Sequence, residues 1–144
     1  MIERLLVPIE GGALDERAFS ASIALAGQLH AAIVGFIVEP FAAHPAGGLA
    51  DEVSAAGRDA ALQAHAQGVL ARFAQRARDA AVPFDAVATQ ASDVSAAILA
   101  AARENRCDMI VMATHGRGTV AELLWGSHTR DVMQGSDLPV VVVR

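Results

Sequence analysis

The sequence predicts an α/β domain built on an open parallel β-sheet, doubly wound by helices on both faces. Three observations carry this. Five short apolar runs are separated by segments with helical spacing, so the elements alternate β-α-β-α-β-α-β-α-β and call for right-handed crossovers. The runs are continuous rather than alternating, as in strands covered on both sides. Glycine clusters follow the first and fourth runs, where the chain leaves a strand.

The first strand is Leu5-Leu6-Val7-Pro8-Ile9, with Pro8 near its end, where a missing ladder bond matters less. Residues 14–30 then read as a helix, with Ala18, Ser22, Leu25 and Leu29 on one face and Phe19, Ile23 and Ala26 beside them. Ala32-Ile33-Val34-Gly35-Phe36-Ile37-Val38 is the second strand. Residues 39–50, with Pro40, Pro45, Gly47 and Gly48, form the one long loop and are expected to be mobile. A second helix begins near Asp51 and carries the stripe Leu62, Ala66, Val69, Phe73, Ala77 and Ala80. The third strand, 84–89, is weak and suits a sheet edge. Val94, Ala97, Ile98 and Ala101 mark a third helix, with Ser92 or Asp93 as its N-cap. Met109-Ile110-Val111-Met112 is the fourth strand. A short fourth helix begins near Ser127 and stops before Gly135, and Pro139 introduces the last strand, Val140-Val141-Val142-Val143.

Composition bounds the chemistry. A chain of 144 residues, 53% hydrophobic and 19% charged, is one domain's worth of sequence (1–144) with ample material for a core. No apolar run is long enough for a membrane helix and no signal peptide precedes Leu5, so a soluble cytoplasmic protein is the expectation, without membrane insertion. A net charge of −5 argues against nucleic acid as a partner, because neutralising phosphates needs a basic patch. All 11 basic residues are Arg, which excludes a P-loop Lys and a Schiff-base Lys. Phosphate must therefore be held by backbone N–H groups, hydroxyls or Arg.

In a doubly wound sheet, ligands bind beyond the carboxyl ends of the strands where the strand order reverses. Glu10-Gly11-Gly12 follows the first strand. Ala113-Thr114-His115-Gly116-Arg117-Gly118 follows the fourth, with Gly126-Ser127-His128-Thr129 further on. The second segment has the parts of an anion site. Its glycines let successive N–H groups point into one concavity. Ser127 is placed to cap a helix whose N-terminal N–H groups favour phosphate. Thr129 adds a hydroxyl, and Arg117 is suited to clasp a terminal phosphate. The same glycines also suit an ordinary strand-to-loop turn, and Gly126-Ser127 an ordinary helix start. The five histidines, His30, His44, His65, His115 and His128, lack the spacing of a zinc site. Cys107, just before a buried strand, suits the core better than a nucleophile's role.

His115-Gly116-Arg117 followed by Gly126-Ser127 resembles the universal stress protein signature: Gly, two residues, Gly, nine residues, Gly, then Ser or Thr. Nine residues separate Gly116 from Gly126. Leu6-Val7-Pro8-Ile9-Glu10, Asp108-Met109-Ile110-Val111-Met112-Ala113 and Leu138-Pro139-Val140-Val141-Val142-Val143-Arg144 are similar to the family's opening, fourth and closing strands. Three positions depart from it: Ala113 stands at the signature's first Gly, Glu10 replaces the usual Asp, and Ser92 a common Gly. The resemblance implies a flavodoxin-like, adenine nucleotide alpha hydrolase-like sheet of strand order 3-2-1-4-5. It further implies that Pro8, Ile9 and Glu10 approach ribose and adenine, and that Ile37 lines the adenine pocket. Ala113, His115, Gly116, Arg117, Gly126, Ser127, His128 and Thr129 would surround the phosphates.

The function this implies is an ATP-binding regulatory protein of the stress response, with Mg²⁺ arriving on the nucleotide and Glu10 near it. Little or no hydrolysis is expected, at most a slow ATPase, because no water-activating base is evident. The alternative is a dimeric interaction module of the same family that binds no nucleotide and serves stress response or transporter regulation. In either case Val140–Val143 is an apolar edge strand needing cover. Family resemblance implies that it pairs across a two-fold axis to give a homodimer.

Overall fold

The computed structural model describes residues 1–39, 49–114 and 127–144, and for residues 49–55 and 127 the helical backbone alone. Its elements run β1(Arg4–Ile9), α1(Asp15–Leu29), β2(Ala32–Glu39), α2(Leu49–Asp79), β3(Phe84–Gln90), α3(Val94–Glu104), β4(Met109–Ala113), α4(Ser127–Gly135) and β5(Val140–Val143). All strand pairs are parallel, in the order β3-β2-β1-β4-β5. The alternation and strand order expected of the sequence are both present. The segment read as the long loop lies outside the described residues, apart from its ends at Glu39 and in the first residues of α2.

The sheet divides its side chains between two cores because successive strand residues point to opposite faces. Leu5, Val7 and Ile9 of β1 join Ile33, Ile37 and Val111 against α1 and α2, where Phe19 and Phe73 are the largest residues. Leu6 joins Val34, Phe36, Ile110 and Met112 against α3 and Val132 of α4. This two-sided burial explains why the strands read as unbroken apolar runs. Phe19 and Phe73 stack with ring centroids 4.3 Å apart, and Phe84 meets Phe73 edge-on at 4.8 Å. Gly35 makes that edge contact possible, since a Cβ there would lie 2.5 Å from the Phe84 ring and 3.1 Å from Phe73. Leu29 departs from the expected buried face of α1: it is 37% exposed, because the helix ends at the next residue, left-handed His30.

The elements end where local chemistry directs them. Asp93 caps α3 by accepting from the Ala96 N–H at 3.0 Å, which selects it over Ser92. β3 is an edge strand whose side chains are largely exposed, in keeping with its weak apolar character. β5 forms the opposite edge with all four valines half-buried. Among the described residues no helix is long and apolar enough to cross a membrane.

At the amino ends of the strands, Asp108 ties β4 to the start of β1. Its Oδ2 accepts from the backbone N–H of Glu3 at 2.8 Å and of Arg4 at 2.9 Å. The Asp108 N–H in turn donates to the Arg4 carbonyl at 2.8 Å. These two backbone N–H bonds hold the Asp108 carboxyl below its ordinary range. A depressed folded-state value means the clip stabilises above the ordinary carboxylate range and is lost as pH falls through the folded value. Asp108→Asn is therefore expected to lower stability at neutral pH and to flatten its decline below about pH 4. Urea unfolding between neutral pH and pH 3 measures this, and equal acid sensitivity of the two proteins would refute it.

Candidate functional site

Beyond the carboxyl ends of β1 and β4, the two strands at which the order reverses, the surface opens into a cleft of about 460 Å³. Neighbouring crossovers leave the sheet on opposite faces there, which opens a gap between the strand ends. The β1 side is supplied by Pro8, Ile9 and Glu10 and by the turn into α1. The β4 side is supplied by Met112, Ala113 and Thr114. The α4 end contributes His128 and Thr129, and an apolar wall comes from β2 and α3 through Phe36, Val38, Val94 and Ile98.

The turn after β1 is held by one carboxylate. Asp15, 4% exposed at the start of α1, accepts from the Glu10 N–H at 3.2 Å and the Gly11 N–H at 2.9 Å. Gly11 has φ +82°, and a Cβ there would collide with the His65 ring of α2. Glycine is thus required at this position for backbone and packing reasons together. Because Asp15 occupies both N–H groups, they are not offered to an external anion. With Glu10 beside them, the β1 end of the cleft carries the carboxylates.

The α4 end has the opposite character. Thr114 and Thr129 line it, each 5% exposed, and the Thr129 hydroxyl has no partner among the described residues. The Thr114 N–H donates to the Val143 carbonyl at 2.8 Å, which carries the β4–β5 ladder up to the rim. His128 stands in the first turn of α4, and its Nδ1 lies 3.5 Å from Oγ of Ser95 on α3. The arrangement suits a ligand with an apolar ring for the wall, hydroxyls for Glu10, and an anionic group for the α4 end.

Six of the residues expected from the sequence meet in this cleft: Pro8, Ile9, Glu10, Ala113, His128 and Thr129. His115, Gly116, Arg117 and Gly126 lie outside the described residues, as does the side chain of Ser127, the first residue of α4. Ile37, expected in the adenine pocket, is not among the residues that line this cleft. Its side chain is 3% exposed in the α1–α2 core that it shares with its register partner Ile9, and β2 lines the cleft through Phe36 and Val38. Asp15 and the α3 wall were not legible in the sequence, because only folding brings them to the β1–β4 gap. Among the described residues no group of three or more His, Cys, Asp or Glu is gathered to hold a metal. Cys107 lies at the other end of β4, and burial pushes its thiol up to about 11, so it stays protonated at neutral pH.

An open parallel sheet of this order, with a cleft at its reversal point, defines a doubly wound α/β protein. Residues 1–144 match the universal stress protein family, and the chain belongs to it. Solved structures agree with the fold. A universal stress protein from Lactobacillus plantarum is 20% identical with a TM-score of 0.83, covering 99% of this chain and 98% of that one. A universal stress protein in complex with cAMP is 20% identical with a TM-score of 0.71, covering 99% and 97%. The universal stress protein from Archaeoglobus fulgidus in complex with dAMP is 14% identical with a TM-score of 0.65, covering 100% and 98%. No curated protein matches the chain.

Replacing Asp15 with Ala is expected to leave the Glu10 and Gly11 N–H groups unpaired and to cost about 1–3 kcal/mol. Chemical denaturation measures the loss, and a change below about 0.5 kcal/mol would show that the turn holds without the carboxylate.

Proposed function

We propose that this protein is an adenine-nucleotide-binding regulatory protein that acts as a homodimer and hydrolyses its ligand slowly or not at all. The carrying observation is the cleft itself, in which a carboxylate end, an apolar wall and a hydroxyl-lined helix start follow one another. The two relatives described in complex with cAMP and dAMP support a ligand of that class. In this reading Pro8, Ile9 and Glu10 meet the nucleoside, with Phe36 and Val38 beside the base in place of Ile37. Ala113, His128 and Thr129, together with His115, Gly116, Arg117, Gly126 and Ser127, surround the phosphates. ATP with its Mg²⁺ is the proposed physiological form. The carboxylates that line the described cleft, Glu10 and Asp15, stand at the β1 end, and Asp15 is engaged by the Glu10 and Gly11 N–H groups, which favours binding and release over turnover.

Acid extraction of the purified protein followed by chromatography should release an adenine nucleotide. After its removal, ATP with Mg²⁺ should raise the melting temperature, since ligand at a hundredfold excess over Kd stabilises by about 2.7 kcal/mol. Absence of any shift at millimolar ATP, AMP and cAMP would sink the reading.

The homodimer is proposed from β5. Its valines are half-buried, and its outer edge has no neighbour among the described residues, whereas the β3 edge presents mainly exposed, polar positions. Light scattering at micromolar concentration should give twice the 14.9 kDa chain mass, and Val141→Arg should return it to the monomer. A monomeric parent protein would overturn this part alone.

A further inference from the structure

We propose that Asp15 is a specificity-determining residue: it fills the anion-binding turn after β1 with the protein's own carboxylate and restricts the cleft to nucleotides that carry phosphate at one end only. This rests on the nucleotide reading above and adds to it a rule of selection, in which a second phosphate on the ribose 2′ or 3′ oxygen is refused. Asp15 is 4% exposed at the start of α1 and lines the cleft. Its Oδ1 accepts from the Glu10 N–H at 3.2 Å and its Oδ2 from the Gly11 N–H at 2.9 Å.

Successive N–H groups that converge in a turn form a concavity suited to a phosphate or carboxylate. The left-handed Gly11, at φ +82°, lets the Glu10 and Gly11 N–H groups converge in this way. The concavity is taken by Asp15, yet the turn is not walled off from a ligand. Gly12 lines the cleft, and a Cβ there would meet nothing within 4 Å. Glu10, exposed at the same end, adds a second carboxylate, and no Arg stands among the described residues that line the cleft. The N-terminus of α1 would by itself attract an anion, but its first turn is acidic, with Asp15 and Glu16. A phosphate brought to this end meets two carboxylates, with the adjoining N–H groups already engaged. Like-charge juxtaposition of this kind rejects a wrong ligand. A ribose is accepted, because its free hydroxyls can donate to the Glu10 carboxylate.

The test compares AMP with adenosine 3′,5′-bisphosphate, which differ by one phosphate, by calorimetry on the native protein, Asp15→Asn, Asp15→Ala and Glu16→Gln. The ratio of the two affinities within each protein cancels any general loss of stability, which a merely structural role for Asp15 would produce. The native protein should bind the bisphosphate at least about tenfold more weakly than AMP. Asp15→Asn keeps one acceptor oxygen for the turn and loses the charge, so the ratio should narrow several-fold. Asp15→Ala leaves both N–H groups to a phosphate, and the ratio should close or invert. Where Asp15→Ala fails to fold, Asp15→Asn carries the comparison alone. Glu16→Gln removes an exposed charge from the same helical turn and should leave the ratio unchanged. Equal native affinities for the two ligands, an unmoved ratio in Asp15→Asn, or an equal change in Glu16→Gln would each overturn the inference while leaving nucleotide binding intact. Failure of AMP to bind would also overturn it, and failure of ATP as well would overturn the nucleotide reading beneath it.

Discussion

β1 is hydrogen-bonded to β2 on one side and to β4 on the other, and the rest of the molecule is organised by that double pairing. Arg4 to Ile9 run in register with Ala32 to Ile37, while Leu5 and Leu6 pair with Met109 and Ile110. The shorter pairing is reinforced at its amino end by Asp108, whose carboxylate gathers the N–H groups of Glu3 and Arg4. With β1 closed onto β4 at its start, the divergence of the crossovers at its other end leaves a gap. That gap is the cleft. A strand order without reversal would route the connections over one face and fill it with chain.

The same double pairing makes β1 a divider between two cores. Leu5, Val7 and Ile9 serve α1 and α2, and Leu6 serves α3 and α4. The cleft inherits this arrangement, because the last residues of β1, β2 and β4 point alternately toward α1 and toward α3. Its apolar wall is therefore the upper rim of the α3–α4 core, continued through Phe36, Val38 and Met112. Its polar parts come from helix starts: Asp15 at the head of α1, and His128 and Thr129 at the head of α4. The two helix starts differ chemically. At α1 an internal carboxylate already takes the adjoining N–H groups, whereas at α4 the hydroxyl of Thr129, a residue 5% exposed, has no partner among the described residues. Separation of a carboxylate end from a donor end gives the cleft a direction, with the anionic part of a ligand favoured at α4.

The fold was legible in the sequence because each level of it had a local signature. Unbroken apolar runs such as Leu5-Leu6-Val7 come from strands buried on both faces, and the 3.6-residue stripe of α2 comes from one buried helical face. The spacing of Gly116, Gly126 and Ser127 pointed to the family, and with it to the strand order and the place of the cleft. Pro8, Ile9, Glu10, Ala113, His128 and Thr129 were recognisable because they lie next to strand ends or within that signature.

Tertiary structure alone decided which side chains from distant segments complete the site. Ser95 and His128 are 33 positions apart, and only the packing of α3 on α4 brings an oxygen to the imidazole. Gly11 reads as a loop glycine, yet its necessity comes from His65 on α2 as well as from its own positive φ. Ile37 shows the difference most simply. Its sequence neighbourhood marks it as a residue at the end of β2, but the face of the sheet toward which it points depends on register with β1 and β3. Periodicity and spacing are properties of the chain and survive in one dimension. Facing, pairing and donor direction arise only when separate segments are brought together.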